Sequence, residues 1–205
     1  MPILWHVIQI YLHQGFRSFL LLTGHRAGQV REFAERQRWP ESADVRCLYT
    51  GEDTATGGRV LRAAEELGRQ RFCATYADGV ADIDLAALLA CHNDHGATAT
   101  ITVVRPRLQF GVAQLNGDGS VRGFVEKPRS EHWVNGRFFC FEPSVIDALE
   151  PDGSLESDAL VQLAGAGELR AFRHEGFWRC LDTHKDAIEL ADLWNSGQAP
   201  WKLWS

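Results

Sequence analysis

The chain has 205 residues, of which 45% are apolar and 23% charged, with a formal net charge of −6. That is the balance of one ordinary domain, residues 1–205, able to bury a core without disulfides. The 21 Lys and Arg are scattered with no basic stripe, which removes the footprint of a nucleic-acid binder, and no apolar run approaches the roughly 18 residues of a membrane span.

In chain order, Ile3, Leu4, Val7, Ile8, Tyr11 and Leu12 recur at helical spacing until Gly15 stops them. The opening segment MPILWHVIQIYLHQG has neither the basic start nor the small-residue cleavage site of a signal peptide. RSFLLLTG is a continuous apolar run and predicts a strand buried on both faces. HRAGQVREFAERQRW predicts a helix ending before Pro40, DVRCLYT a strand, TGEDTATGG a loop feeding the helix RVLRAAEELG, RFCATY a strand and DLAALLACHNDHG a helix. This alternation predicts parallel strands with crossover helices, an open α/β sheet. Beyond it, ATATITVVRP, FGVAQL, VRGFVEK and VNGRFFCFE read as strands, with NGDGS as a hairpin turn. Helices near 143–149 and 156–165, a strand at ELRAFRH, a final helix HKDAIELADLWNSG and a Trp-rich tail APWKLWS complete the chain. The tail is expected to pack on the body or on a second subunit. Cys47, Cys73, Cys91, Cys140 and Cys180 form no C-x-x-C pair, so free thiols in a cytoplasmic protein are expected. His92 and His95 read as a surface helix end rather than as part of a zinc site.

In an open α/β sheet, ligands sit beyond the carboxyl ends of the strands. Asp78, in YADGVADID, lies two residues past RFCATY, where a carboxylate needs solvent, a donor or a cation. It is therefore either part of an acidic surface turn or one ligand of a metal. Mg²⁺ on nucleotide phosphates takes one or two protein carboxylates, and Asp182 in FWRCLDTHKDA is the second candidate, its alternative being the N-cap of the last helix. Asp82 and Asp84 are expected to start or cap the helix from Leu85. Lys127, in FVEKP, is either a phosphate ligand or a solvated strand-end cation. Gly57 and Gly58, in TATGGRV, either form a plain turn or offer free N–H groups to a ligand.

The order PILWH, TGGR, YADGVADID, FVEKP, NGRFFCFEPSVID, GELRAF, GFWRCLDT and APWK, running from Pro2 to Lys202, resembles the sugar-phosphate nucleotidylyltransferases, in particular the glucose-1-phosphate cytidylyltransferases. The resemblance implies a Rossmann-like open mixed sheet of the nucleotide-diphospho-sugar transferase type. It also implies condensation of CTP with glucose 1-phosphate to CDP-glucose and pyrophosphate, with Mg²⁺, in a homo-oligomer. By position it assigns Asp78 and Asp182 to the metal, Lys127 to the sugar phosphate and Glu126, Asn135 and Gly136 to the sugar. Thr54, Arg59 and Ala77 fall to the nucleotide. Three departures from the pattern stand out. The usual first strand and glycine-rich loop are expected to be missing ahead of PILWH, leaving two neighbouring strands with unpaired edges. Ala77 and Arg137 each stand where the pattern has glycine. The loop before TGGR is shorter by about twenty residues. Another base or sugar, or a non-catalytic nucleotide-sugar-binding or partner subunit, is the alternative.

Overall fold

The computed structural model describes residues 1–204. Helix α1 (Ile3–His13) buries Val7, Ile8, Ile10, Tyr11 and Leu12 and ends before Gly15, whose φ of 93° a side chain would resist. Strand β1 (Ser18–Thr23) runs parallel to β2 (Asp44–Tyr49), with α2 (Ala27–Arg36) between them. The apolar β1 was expected to be buried on both faces, but Phe19 to Leu22 are only half-buried and β2 is its sole hydrogen-bonded neighbour among the described strands.

After α3 (Thr56–Arg62) and the short α4 (Ala64–Leu67), strand β3 (Phe72–Thr75) enters a four-stranded sheet of order β3-β8-β5-β9, where β5 is Ala99–Val104, β8 Val134–Phe141 and β9 Leu169–Arg173. The expected parallel pairing holds for β1 with β2, and the mixed sheet that the resemblance implies is built on β3. Its partner β8 is antiparallel, whereas β9 joins β5 in parallel, so the sheet is mixed. β1 and β3 each keep one edge unpaired among the described residues. Strand β8 explains how the sheet holds its core. Phe138 and Cys140 face one apolar cluster, Phe139 and Phe141 the other, and all four are fully buried. The run FFCF is thus the two-sided apolar strand that the physics of a covered sheet requires.

The acidic turn leads into a three-residue strand, β4 (Gly79–Ala81), then α5 (Leu85–His95). Asp84 caps α5 by accepting from the Ala87 N–H at 2.9 Å, and Gly96 closes it at φ 63°. His92 corrects the surface reading of that helix end. It is buried, its Nδ1 2.7 Å from the Thr100 hydroxyl and its Nε2 3.2 Å from Glu142. Strands β6 (Val112–Leu115) and β7 (Val121–Val125) form the expected hairpin over NGDGS and are solvent-exposed along most of their length. A 3₁₀ turn (Pro143–Ala148), a π turn (Leu155–Ala159) and α6 (Leu160–Gly165) lead to β9. Strand β10 (Trp178–Cys180) pairs with β4, and α7 (His184–Asn195) ends the body.

The Trp-rich tail packs on its own chain. Trp201 is 2% exposed, lies 5.5 Å from Phe177 ring to ring, and donates its Nε1–H to His6 Nδ1 at 3.3 Å. The tail therefore docks on the body, the first of the two expected places, through Trp201. Burial, helped by the N-terminal charge, lowers the His6 pKa to about 4. The unfolded chain takes up a proton near pH 6.5 that the folded one refuses, so this contribution is complete above pH 6.5 and is lost as pH falls towards 4. Urea unfolding should lose on the order of 3 kcal/mol over that window through this residue. His6→Gln should flatten the slope, and an unchanged slope would assign it to other groups.

Candidate active site

The antiparallel pairing of β4 with β10 matches Gly79 to Cys180. This register puts Asp78, one residue before β4, and Asp182, two residues after β10, at the same end of the ribbon. The Leu181 N–H donates to the Asp78 carbonyl at 2.7 Å and seals that end. Two acidic residues more than a hundred positions apart are thus brought together by a pairing of three residues each.

A third side chain joins them. Arg137, on β8, donates from Nη1 to Asp78 Oδ2 and places Nη2 3.6 Å from Asp182 Oδ1. Its guanidinium lies 5.9 Å from the centre of the Tyr76 ring. The backbone of Arg137 sits at φ 67°, a left-handed conformation uncommon outside glycine, asparagine and aspartate, and its N–H donates to Asn135 Oδ1 at 2.7 Å. The other Asp78 oxygen, Oδ1, is buried without a hydrogen-bond partner.

Asp182 does not cap α7. That role falls to Thr183, whose hydroxyl accepts from the Asp186 N–H at 3.2 Å while the Asp186 carboxylate accepts from the Thr183 N–H at 2.9 Å. Asp182 is left exposed beside Arg137.

Two clefts meet here. One, of about 820 Å³, is lined by Thr56, Tyr76, Ala77, Asp78, Asn135 and Arg137, with Glu156 at its wall. The other, of about 590 Å³, contains Asp182 and the cations Arg105, Arg107, Lys127, Arg129 and Arg179. Trp178 lines both, and its Nε1–H donates to the Gly136 carbonyl at 2.8 Å. Gly136 is buried there because a Cβ would lie 3.0 Å from the Thr102 carbonyl. Lys127, at φ 47°, sits at the rim with its ammonium 3.9 Å from Glu126.

The wall behind the first cleft is a fixed polar network. Glu156 accepts from Tyr76 Oη and from the Thr56 hydroxyl at 2.9 Å, and the Leu155 N–H donates to that hydroxyl at 2.9 Å. Burial, then Glu156, raises the Tyr76 phenol well above its ordinary range, so it stays protonated as a donor. Nothing in the spacing of Thr56, Tyr76 and Glu156 marked them in the sequence. Arg137 was visible only as an oddity in a run that resembles glycine-bearing relatives.

Other expected site residues do structural work. Helix α3 begins at Thr56, three residues earlier than expected, so Gly57 and Gly58 lie inside its first turn. The reading of two free N–H donors is corrected at Gly58, whose N–H goes to the Gly153 carbonyl at 3.1 Å. Both glycines are buried because side chains there would strike the Pro151 and Gly153 carbonyls. Arg59 donates from Nη1 to the Thr50 hydroxyl at 2.8 Å and the Gly51 carbonyl at 2.9 Å, and Thr54 donates to the Thr50 carbonyl at 2.6 Å. Thr54, Gly57, Gly58 and Arg59 line neither cleft.

The donor set suits Mg²⁺. It offers two hard carboxylates, one with an oxygen unsatisfied and buried, next to cationic ground for phosphate. Among the described residues no group of three or more Asp, Glu, His or Cys could hold a metal ion. Cys180 is no competing nucleophile, since burial pushes its thiol up to about 12.

A family described as nucleotidyl transferase matches residues 1–195. A protein of Bacillus subtilis (strain 168) named probable glucose-1-phosphate cytidylyltransferase is 38% identical over 224 aligned residues, spanning 99% of this chain and 88% of its own. The glucose-1-phosphate cytidylyltransferase of Salmonella typhimurium is 37% identical, with the same two coverages. The fold is shared with crystalline HddC from Yersinia pseudotuberculosis complexed with GMP-PN, at a TM-score of 0.73 and 17% identity, covering 94% of this chain and 85% of that one.

Proposed function

The chain belongs to the nucleotidyl transferase family, and from that premise we propose that it transfers the cytidylyl group of CTP to glucose 1-phosphate, releasing pyrophosphate, at the rim formed by Asp78 and Asp182. The observation that supports this reading is the approach of one guanidinium to both carboxylates, Asp78 through a hydrogen bond and Asp182 at 3.6 Å, so that the two acids already flank one cationic group. The substrate pair follows the relatives' names.

In this reading an oxygen of the sugar phosphate attacks the α-phosphorus of the nucleotide. The bond to the oxygen bridging the α- and β-phosphorus breaks, and pyrophosphate leaves with the electron pair. No proton must be removed from the attacking phosphate and no covalent enzyme intermediate is needed, so catalysis reduces to positioning and charge neutralisation. Asp78 and Asp182 would hold Mg²⁺, which when bound supplies Lewis-acid neutralisation of phosphate oxygens. Lys127, among the cations of the second cleft, holds the sugar phosphate as a point charge. Asn135, which lines the first cleft, and Glu126, which lines neither cleft but sits beside Lys127, would take the sugar hydroxyls, and the Gly136 carbonyl accepts from the Trp178 indole. Tyr76, fixed by Glu156, lines the first cleft. Ala77, exposed at the cleft edge, leaves room for the nucleotide. Thr54, Gly57, Gly58 and Arg59 act on that nucleotide by shaping the 50–58 segment. A cytoplasmic homo-oligomer completes the proposal; no described helix is long and apolar enough to cross a membrane.

The test is pyrophosphate release from each of four nucleoside triphosphates against several sugar 1-phosphates with Mg²⁺. Release fastest with CTP and glucose 1-phosphate is the expected result, and another preferred pair would reassign the base or sugar. Binding of CDP-glucose without release from any pair would favour a non-catalytic nucleotide-sugar binder.

A further inference from the structure

We propose that Arg137 is an internal counter-cation that occupies the Asp78–Asp182 pair in place of a divalent ion and must withdraw before that ion binds, so that this residue sets the ion affinity of the site. The inference rests on the reading above that Asp78 and Asp182 are the metal carboxylates, and adds a positioning residue to it.

Four observations carry it. The guanidinium takes the Asp78 oxygen on one side and approaches Asp182 on the other, the same two groups that a bridging cation would use. Its partners are not spent elsewhere, for Asp78 Oδ1 has no hydrogen-bond partner and Asp182 makes no hydrogen bond to any described side chain. The backbone of Arg137 is held in a left-handed conformation that is unfavourable for a non-glycine residue, and the Asn135 side chain accepts from its N–H there. A residue kept in an uncommon conformation with its head group between two acids is built to be there. The side chain is also one-quarter exposed and borders the open first cleft, so it has room to leave without disturbing the core.

Guanidinium and metal compete for one oxygen, so the apparent dissociation constant of the ion is raised by the stability of the closed bridge. Removing the cation should lower it. The experiment titrates Mn²⁺ alone into the purified protein and reads free Mn²⁺ by electron paramagnetic resonance at fixed ionic strength, with no substrate and no turnover. Arg137→Gly, which suits the left-handed backbone, and Arg137→Asn, which tolerates it while keeping a polar side chain, should each bind Mn²⁺ at least about tenfold more tightly than the native chain. Arg137→Lys keeps a cation and should restore most of the weakness, which relief of backbone strain alone would not do. Adding Asp78→Asn to Arg137→Gly should abolish the gain. Equal affinity in the native, Gly and Asn proteins, with Asp78→Asn weakening all of them, would overturn the counter-cation and leave the metal pair standing. A gain indifferent to Asp78→Asn, or no Mn²⁺ binding in any variant, would overturn both. Comparable thermal unfolding midpoints across the Gly, Asn and Lys proteins identify any variant whose fold has failed, and the other two then decide.

Discussion

Asp78→Asn should lower Mg²⁺-dependent release of pyrophosphate at least about 100-fold, the scale on which a single group aimed at transition-state charge acts. The substitution keeps size and shape and removes the negative charge. The fold should not notice, because what Asp78 contributes to architecture is its carbonyl, which accepts from the Leu181 N–H at 2.7 Å and survives the change. Its side chain is part-exposed and bonded to Arg137. The unfolding midpoint should therefore stay within a few degrees of native while turnover collapses. Asp182→Asn should act in the same direction with a smaller loss, since its carboxylate is more exposed and farther from the guanidinium. Undiminished release in Asp78→Asn would take that residue out of the site and with it the reading of the acidic turn. A loss of activity accompanied by unfolding would assign Asp78 to structure instead.

What made Asp78 legible was its place after a strand, and what remained hidden was its company. Helices α1 and α5 were readable end to end because their signals are local: apolar residues at helical spacing, Gly15 as a stop, Asp84 as a cap and Gly96 as a left-handed terminus. The run VNGRFFCFE announced a strand but not that its FFCF core is covered on both faces, and NGDGS announced the hairpin. The β4–β10 ribbon was invisible, for three residues cannot express a period and their partner lies about a hundred positions away. The same non-locality hid β8 as the antiparallel neighbour of both β3 and β5, since it lies outside the alternation that reads as parallel. Gly57 and Gly58 read as either a plain turn or a pair of free N–H donors for a ligand. The structure uses them for close helix packing against the 151–155 loop. His92 looked exposed because it ends a helix, yet Thr100 and Glu142 give its ring nitrogens partners inside the protein. Side-chain reach across elements decides such cases, and a linear pattern does not encode it.

Trp201→Ala should cost about 3–5 kcal/mol of unfolding free energy, the range for emptying a large aromatic site in a core. The residue is 2% exposed, and the indole shares its cluster with Val80, Ala81 and Leu85. It stacks on Phe177, the residue directly before β10, so the tail supports the strand that delivers Asp182. Truncation would leave a cavity, expose Phe177 and strip His6 Nδ1 of its donor. Trp201→Phe should cost less, because it keeps most of the ring volume and loses the hydrogen bond, worth about 1 kcal/mol. Denaturant unfolding followed by circular dichroism measures both differences. A loss below about 1 kcal/mol in the alanine variant would place the tail outside the cooperative core, contrary to its burial. Mn²⁺ affinity measured on the same alanine protein under folding conditions should fall as well, since the β4–β10 ribbon that aligns Asp78 with Asp182 is buttressed from the tail side through Phe177.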